Sequence, residues 1–473
     1  MKNTQLLEKI KESKCAVLGF GVSNRPLLTF LLELGTKDIT VHDKKSVDEL
    51  GDEAKRLVER GVSFVTGDDY LAKIDAEVIF RSPGIRDDFD GIARAVENGA
   101  WLTSEMELFF ALTSATVIGI TGSDGKTTTT TLCAKILEEE LAEKDAHVYL
   151  GGNIGEPLLP YVEKMTERDF AVVELSSFQL KTFRRSPTRA AITNLSPNHL
   201  DWHTGMDEYV ESKFNICRYP ELARLVTNAE NETTMALARR LGTRVTLFSS
   251  KRDSYEAICG DVQGRRAVFE RDGEIILSDG TVERIIVKTS DIKLLGRHNV
   301  ENYMTAIGML DGWVKAESVR KVAKTFGGVA HRMEFVRTLD GVSYYNSSID
   351  SSPTRTAAAI SMVDRKPIVI CGGYDKHIPF APLGKTLCEK AKGVVLTGAT
   401  AEVIREAIEN AEGYADSGLS VVTCPDFEMA VNAARQMAEE GDIVMLSPAC
   451  ASFDSFRNFE ERGERFKDIV NRF

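Results

Sequence analysis

Short apolar runs recur along this chain, most of them running into a polar or glycine-containing turn and many followed by a stretch with helical spacing of its apolar residues. Residues 15–20 (Cys-Ala-Val-Leu-Gly-Phe), 39–42 (Ile-Thr-Val-His) and 77–80 (Glu-Val-Ile-Phe) predict buried strands. A helix is expected to end near Gly35, and another to cover Glu105–Leu112. Further strands are expected at 117–120, 170–173, before Thr193, and at 367–371, 394–397 and 443–446. Such alternation predicts an α/β fold built on open parallel sheets. It pauses between about 221 and 296. There, shorter runs around Asp272-Gly273 and Asp279-Gly280 predict antiparallel strands joined by Asp-Gly turns, a small sheet attached to the central domain. The expected organisation is three domains, 1–112, 113–329 and 330–473: a Rossmann-like N-terminal domain, a central P-loop mononucleotide-binding domain with the small antiparallel β addition, and a Rossmann-like C-terminal domain.

The central assignment rests on Val117-Ile118-Gly119-Ile120-Thr121-Gly122-Ser123-Asp124-Gly125-Lys126-Thr127-Thr128. A strand runs into a glycine-bracketed turn, and Gly-Lys-Thr opens a helix. Backbone N–H groups of Gly122, Ser123, Asp124, Gly125 and Thr128 can cradle a polyphosphate there, with Lys126 on the β/γ-phosphates and Thr127 on Mg²⁺. Ile120 occupies the place of the first glycine of the full Walker pattern, so the loop is a shortened Thr-Gly-x-x-Gly-Lys-Thr.

Composition narrows the class. The chain has 473 residues, 43% of them hydrophobic, with a formal net charge of −12, which disfavours nucleic acid or an anionic membrane as the main partner. Its eight cysteines are scattered without a Cys-x-x-Cys pair, as expected of reduced thiols in a cytoplasmic protein. No apolar run approaches the roughly 20 residues that span a bilayer, and no signal-peptide core is visible near the start.

Other strand ends carry polar residues. Gly21-Val22-Ser23-Asn24 and Asp43 form the opening of a dinucleotide-type unit, but Asn24 stands where a third small residue belongs. A nucleotide-diphosphate ligand is therefore expected there in preference to NAD(P). Arg81-Ser82-Pro83-Gly84-Ile85 is by itself only a strand-to-turn signal. Glu174 ends a buried strand, where an acid can reach the Mg²⁺ held by the loop hydroxyl. Ser176 and Ser177 lack a nucleophile elbow, which argues against a serine hydrolase. His199, Asp201 and His203 do not have a zinc spacing; His199 is the expected metal contact and His203 a structural residue. Taken alone, Lys213 is a solvent-facing helix lysine, and Asn299 with Asn302 is an i, i+3 pair near a helix start.

Together these motifs resemble the Mur ligases over nearly the whole chain, and most closely the members that add D-glutamate. The resemblance is carried by the shortened phosphate loop, Glu174, Asn198-His199-Leu200-Asp201, Gly296-Arg297-His298-Asn299-Val300-Glu301-Asn302 and His331-Arg332. More specific are Gly372-Gly373-Tyr374-Asp375-Lys376 and the tail from Ser447-Pro448-Ala449-Cys450-Ala451-Ser452-Phe453-Asp454 to Arg462-Gly463.

The resemblance implies a cytoplasmic, monomeric enzyme. It would use ATP and Mg²⁺ to join D-glutamate to UDP-N-acetylmuramoyl-L-alanine through an acyl phosphate, in peptidoglycan precursor synthesis, with the domains closing around the substrates. It implies Lys126 and Thr127 on the ATP phosphates and first Mg²⁺, Glu174 completing that shell, and His199 on a second Mg²⁺. Lys213 would be carbamylated and act as an anionic metal partner. Asn299 and Asn302 would face adenine, and Arg332 the phosphates. Ser23, Asp43, Ser82 and Gly84 would lie near UDP, Asn153 near the muramoyl end, and Lys376, Ser452 and Phe459 at D-glutamate. One position departs from the pattern: Ser347 stands where the family has an aspartate, with Asp350 as its candidate replacement. A folylpolyglutamate synthase, another Mur ligase and a nucleotide-binding protein without ligase activity are the alternatives.

Overall fold

The computed structural model describes residues 2–200, 202–242, 244–260, 265–294, 296–376 and 378–473; Asp201 of the histidine block lies outside them. Two compact units emerge, residues 1–289 with 300–322 and residues 290–299 with 323–473.

The first unit holds two sheets. In the five-stranded sheet the order is Ser63–Thr66, Asp38–Asp43, Lys14–Leu18, Val78–Arg81, Trp101–Thr103, all parallel. Chain order reverses direction between Lys14–Leu18 and Val78–Arg81, and at such a switch the loops leaving the carboxyl ends open a crevice. The helix Asn24–Leu34 follows the first of these loops and ends at Gly35, as its pattern predicts. One continuous apolar cluster runs from Val17 and Leu28 through Phe109 and Leu159 to Ala171 and Leu175, packing this sheet onto the next. Helix Glu105–Leu112 contributes to that seam and buries two carboxylates, Glu105 and Glu107.

The second sheet has nine strands. Thr116–Thr121 lies between Phe170–Glu174 and Arg189–Ile192, all parallel, with Val148–Gly152 outside Phe170–Glu174. On the other side follow Arg224–Asn228, Val245–Ser249 and Arg266–Arg271, still parallel, then Glu274–Ser278 and Glu283–Lys288, antiparallel. The expected hairpins form: Asp272 and Gly273 both have positive φ (53° and 77°), which suits the twist of a two-residue turn. They do not form a separate small sheet, however. Arg266–Arg271 pairs in parallel with Val245–Ser249, so the hairpins extend the main sheet. Local alternation predicts a strand but not its second neighbour.

The second unit carries a six-stranded sheet, in the order Glu334–Leu339, Val342–Asn346, Ile443–Leu446, Ile368–Cys371, Gly393–Leu396, Ser420–Thr423. All pairs are parallel except the first hairpin. Among the described residues no helix is long and apolar enough to cross a membrane.

Candidate active site

In the first unit three adjacent strands deliver their ends to one place. Thr116–Thr121 leads into the loop 122–125, Phe170–Glu174 ends on its acid, and Arg189–Ile192 leads into Thr193-Asn194. The loop is tied to this last segment. Ser123 N donates to Asn194 O (2.9 Å), Asp124 N to Asn194 Oδ1 (2.9 Å), and Thr193 Oγ1 to Asp124 O (2.6 Å). The Ser123 hydroxyl bonds to the Tyr209 hydroxyl (2.7 Å) and receives Ser196 N (2.9 Å).

Two glycines are required by contact as well as conformation. A Cβ on Gly122 (φ 147°) would lie 1.9 Å from Thr193 Oγ1, and one on Gly125 (φ 76°) 2.4 Å from Asn302 Oδ1. Helix Lys126–Leu141 begins directly after Gly125, and no side chain caps its first turn. Its sixteen residues align their peptide dipoles toward that end, leaving a partial positive charge and backbone donors for an anion. Lys126 Nζ donates to Ser123 O (2.9 Å), and Thr127 and Thr128 are half-buried in the first turn.

Glu174 is 2% exposed and lies in register with Ile120 on the neighbouring strand. Its Oε1 accepts from Asn153 Nδ2 (2.8 Å). Its Oε2 is buried with no hydrogen-bond partner among the described residues. An orphaned carboxylate oxygen in such a place costs stability unless a ligand satisfies it. A hard cation fits, and Mg²⁺ takes few protein ligands, filling its octahedron with water and phosphate oxygens. Among the described residues no cluster of three or more His, Cys, Asp or Glu converges.

Lys213 is not solvent-facing. It is 2% exposed near the end of helix Met206–Phe214, with Nζ donating to Gly122 O (2.8 Å) and Thr121 Oγ1 (3.3 Å) and lying 4.8 Å from the centre of the Tyr209 ring. Burial, then the nearby Lys126 charge, hold its ammonium well below the usual lysine range, against the opposing pull of Glu174 and Asp124. A buried lysine of this kind favours its neutral amine, the form that can react with CO₂.

His199 is exposed on the loop after Arg189–Ile192, at positive φ (54°), its ring edge-on to Phe178. A non-glycine residue at such φ is uncommon and costs energy. His203 is buried, with Nε2 3.0 Å from Ser177 Oγ and Nδ1 3.5 Å from Glu208. Ser176 caps the short helix Ser177–Leu180 in a reciprocal box with Gln179. Asn302 lies within helix Arg297–Leu310, buried beneath Gly125 and accepting from Thr129 Oγ1 (3.2 Å). Asn299 is in the first turn of the same helix, and its chain position belongs to the other unit.

At the crevice of the five-stranded sheet, Asp43 accepts from Phe20 N (2.7 Å) and Lys45 N (2.9 Å), and Ser23 precedes helix Asn24–Leu34. Asn24 is buried and spans the turn, donating to Leu18 O, Gly19 O and Ser82 Oγ. Its amide stands where the dinucleotide fingerprint has a small residue for close helix–strand packing. Gly84 O accepts from Trp202 Nε1 (3.3 Å).

In the second unit, Asn346, Leu446 and Cys371 end three adjacent strands. Lys376 is exposed, its Nζ donating to Ser351 Oγ (3.2 Å). Ser452 is buried in the 447–454 loop, and Phe459 starts helix Phe459–Asn471 with its ring edge-on to His331. Arg332 is exposed beside buried His331. Ser347 is buried and accepts from Met333 N (3.1 Å), while Asp350 accepts from Ser447 Oγ (2.8 Å). Burial raises the Asp350 carboxyl above its usual range, against hydrogen bonds from Ser347 and Ser447.

The sequence pattern gives no role to Tyr209, Thr193, Asn194, Arg81, Glu208 or Arg462, although Arg81 and Arg462 stand inside its motifs, and only packing reveals what they touch.

Comparison with known proteins follows the same lines. The family model described as "Mur ligase middle domain" matches residues 120–310, and that described as "Mur ligase, glutamate ligase domain" matches 331–450. The UDP-N-acetylmuramoylalanine--D-glutamate ligase of Clostridium perfringens (strain 13 / Type A) is 44% identical, with 98% of each chain covered. That of Clostridium novyi (strain NT) is also 44% identical, over 100% of both chains. Among solved structures, MurF from Acinetobacter baumannii has a TM-score of 0.53 at 15% identity, covering 98% of this chain and 92% of that one, a likeness of fold. With aligned relatives along its whole length and two family models over its central and C-terminal parts, the chain belongs to the Mur ligase family.

Proposed function

We propose that the protein is an ATP-dependent ligase that forms an amide between UDP-N-acetylmuramoyl-L-alanine and D-glutamate, releasing ADP and phosphate. The observation that carries the site assignment is the meeting of an uncapped helix N-terminus at Lys126 with the orphaned Oε2 of Glu174 on the adjoining strand. The relatives' shared name supplies the substrate pair. In this reading residues 1–112, with a Rossmann-like strand order, take the UDP end through Ser23, Asp43, Ser82 and Gly84. Residues 113–329 take ATP, and residues 330–473 take D-glutamate through Lys376, Ser452 and Phe459.

A free carboxylate does not react with an amine, so the L-alanyl carboxylate first accepts the γ-phosphoryl group of ATP. The amine then attacks the acyl phosphate, phosphate leaves, and an amide remains. Mg²⁺, when bound, supplies charge neutralisation to the phosphates. Thr127 and Glu174 would hold it, with His199 and a carbamylated Lys213 at a second ion. Lys126 leaves the Ser123 carbonyl to meet the developing phosphoryl charge, and the first turn of helix Lys126–Leu141 orients the chain of phosphates. Asn153 holds Glu174 in one rotamer by its 2.8 Å bond. Asn302 fixes the underside of Gly125, which keeps the loop's donors aimed outward whatever its further part at the adenine.

The test is phosphate release with ATP, Mg²⁺ and UDP-N-acetylmuramoyl-L-alanine, comparing D-glutamate with L-glutamate, L-lysine and no amino acid. Release with D-glutamate alone, with the extended product, is expected. Silence in every arm despite ATP binding would identify a nucleotide-binding protein that does not ligate. Lys126→Ala should lower kcat on the order of 10²-fold or more.

A further inference from the structure

The loop 82–88, which leaves the five-stranded sheet after Val78–Arg81, is tied by side chains to three segments of the nine-stranded region. Arg81 is 2% exposed. It donates to its own loop at Ser82 O, Pro83 O and Ile85 O, and across to Phe178 O (2.8 Å) and Thr182 Oγ1 (3.1 Å). Asp87 pairs with Lys181 (2.8 Å), and Lys181 with Glu208 (2.6 Å). Arg86 reaches both carboxylate oxygens of Glu208 (3.2 and 3.4 Å) and the carbonyl of Trp202, and stacks 5.0 Å from the Trp202 ring. Trp202 in turn donates to Gly84 O.

The receiving segments are those that follow or carry the proposed chemistry. Phe178–Thr182 follows Glu174, Trp202 follows His199, and Glu208 shares helix Met206–Phe214 with Lys213. Side chains of Arg86, Glu208 and Lys181 are 20%, 19% and 14% exposed. Such partly desolvated, multiply bonded ions interact more strongly than exposed surface pairs. The loop cannot shift without breaking or dragging these bonds, so a ligand that selects one loop position also selects the position of the segments beyond.

We propose that Arg86, Glu208 and Lys181 form a coupling clamp through which occupancy of the loop at Ser82–Gly84 by the UDP-linked substrate favours ATP binding at the phosphate loop, and the reverse. The three are positioning residues, acting through the segments they hold. This rests on the assignment of those two ligands under Proposed function. Because coupling of binding is reciprocal, it can be read from either ligand.

The test measures the Kd of a non-hydrolysable ATP analogue with Mg²⁺, with and without saturating UDP-N-acetylmuramoyl-L-alanine. The proteins are the wild type, Arg86→Ala, Arg86→Lys and Glu208→Gln, each checked for an unchanged cooperative melt. In the wild type the substrate should tighten the analogue by about 5-fold or more. In Arg86→Ala and Glu208→Gln that ratio should fall to about one with the analogue's own Kd little changed, and Arg86→Lys, which keeps the charge without the fork, should be intermediate. Two ligands binding the wild type independently would overturn the clamp and leave the ligase reading intact. Variants that weaken each ligand alone yet keep the wild-type ratio would also overturn it, assigning the network to stability only. A wild type that binds the analogue but not the UDP substrate would overturn the ligase reading itself, and the clamp with it.

Discussion

Lys213 Nζ donates to the carbonyl oxygen of Gly122 at 2.8 Å, so a side chain from helix Met206–Phe214 closes the base of the loop 122–125. Burial and the charge of Lys126 both disfavour its protonated form. With the folded pKa depressed, the folded state binds fewer protons than the unfolded one, and stability rises with pH up to the usual lysine range. Lys213→Met should therefore leave Tm at pH 7 no lower, while on the proposed role of Lys213 it should lower kcat for ligation by about 10²-fold or more. If the neutral amine forms a carbamate, ¹³C-bicarbonate should give a carbamate resonance in the wild type that Lys213→Met lacks. Absence of the signal in active enzyme would assign Lys213 to loop support alone.

Gly125→Ala places a methyl group 2.4 Å from Asn302 Oδ1 at a backbone φ of 76°. Conformational strain and the clash together should cost about 2 kcal/mol or more of stability. Pairing it with Asn302→Ala should return part of that stability, because the clash is then relieved and the φ strain remains. Thermal melts of the two single variants and the double variant decide the point; strict additivity would show that the contact does not matter.

Glu105, the first residue of helix Glu105–Leu112, is buried in the seam, with Oε1 lacking a partner among the described residues. Burial pushes its carboxyl up to about 7, with a backbone hydrogen bond from Leu159 opposing. A raised carboxyl pKa means that the folded state holds the proton longer than the unfolded state. Its contribution is fully present below the unfolded value near ~4.3 and is lost as pH rises towards about 7. Glu105→Gln should therefore stabilise at pH 8 by about 1–3 kcal/mol and change little at pH 4. Urea unfolding across that range tests it, and an equal effect at both ends would refute it.

Arg462 is 2% exposed and donates to the carbonyls of Ala451, Cys450 and Ser348 and to Ser348 Oγ. It thereby holds the loop that carries Ser452 against the segment after Asn346. Arg462→Leu strips four acceptors of their donor and should cost about 3 kcal/mol or more. Arg462→Lys, with one donor head in place of the fork, should fold better and show a raised KM for D-glutamate at nearly normal kcat. An unchanged KM would separate Arg462 from the amino-acid site.

Much of this was legible in the order of residues. The helix ending at Gly35, the strand delivering Glu174 and the hairpin at Asp272-Gly273 follow from short-range rules: side-chain period, turn conformations and helix ends. The glycine-bracketed turn 122–125 and the helix that opens at Lys126 were legible for the same reason, since both are features of local backbone.

What the sequence by itself determined, then, is the alternation of strands and helices and the glycine turn that opens helix Lys126–Leu141. Tertiary structure alone decided which strands adjoin, and so joined the hairpins to the main sheet. It also decided what each polar side chain faces: Lys213 lies under Gly122, Asn302 under Gly125, and Arg86 against Glu208. Those partners are 91, 177 and 122 positions apart. A residue's burial and charge environment is set by chain segments that no local window contains, and the desolvation that disfavours the ammonium of Lys213 exists only after those segments have met.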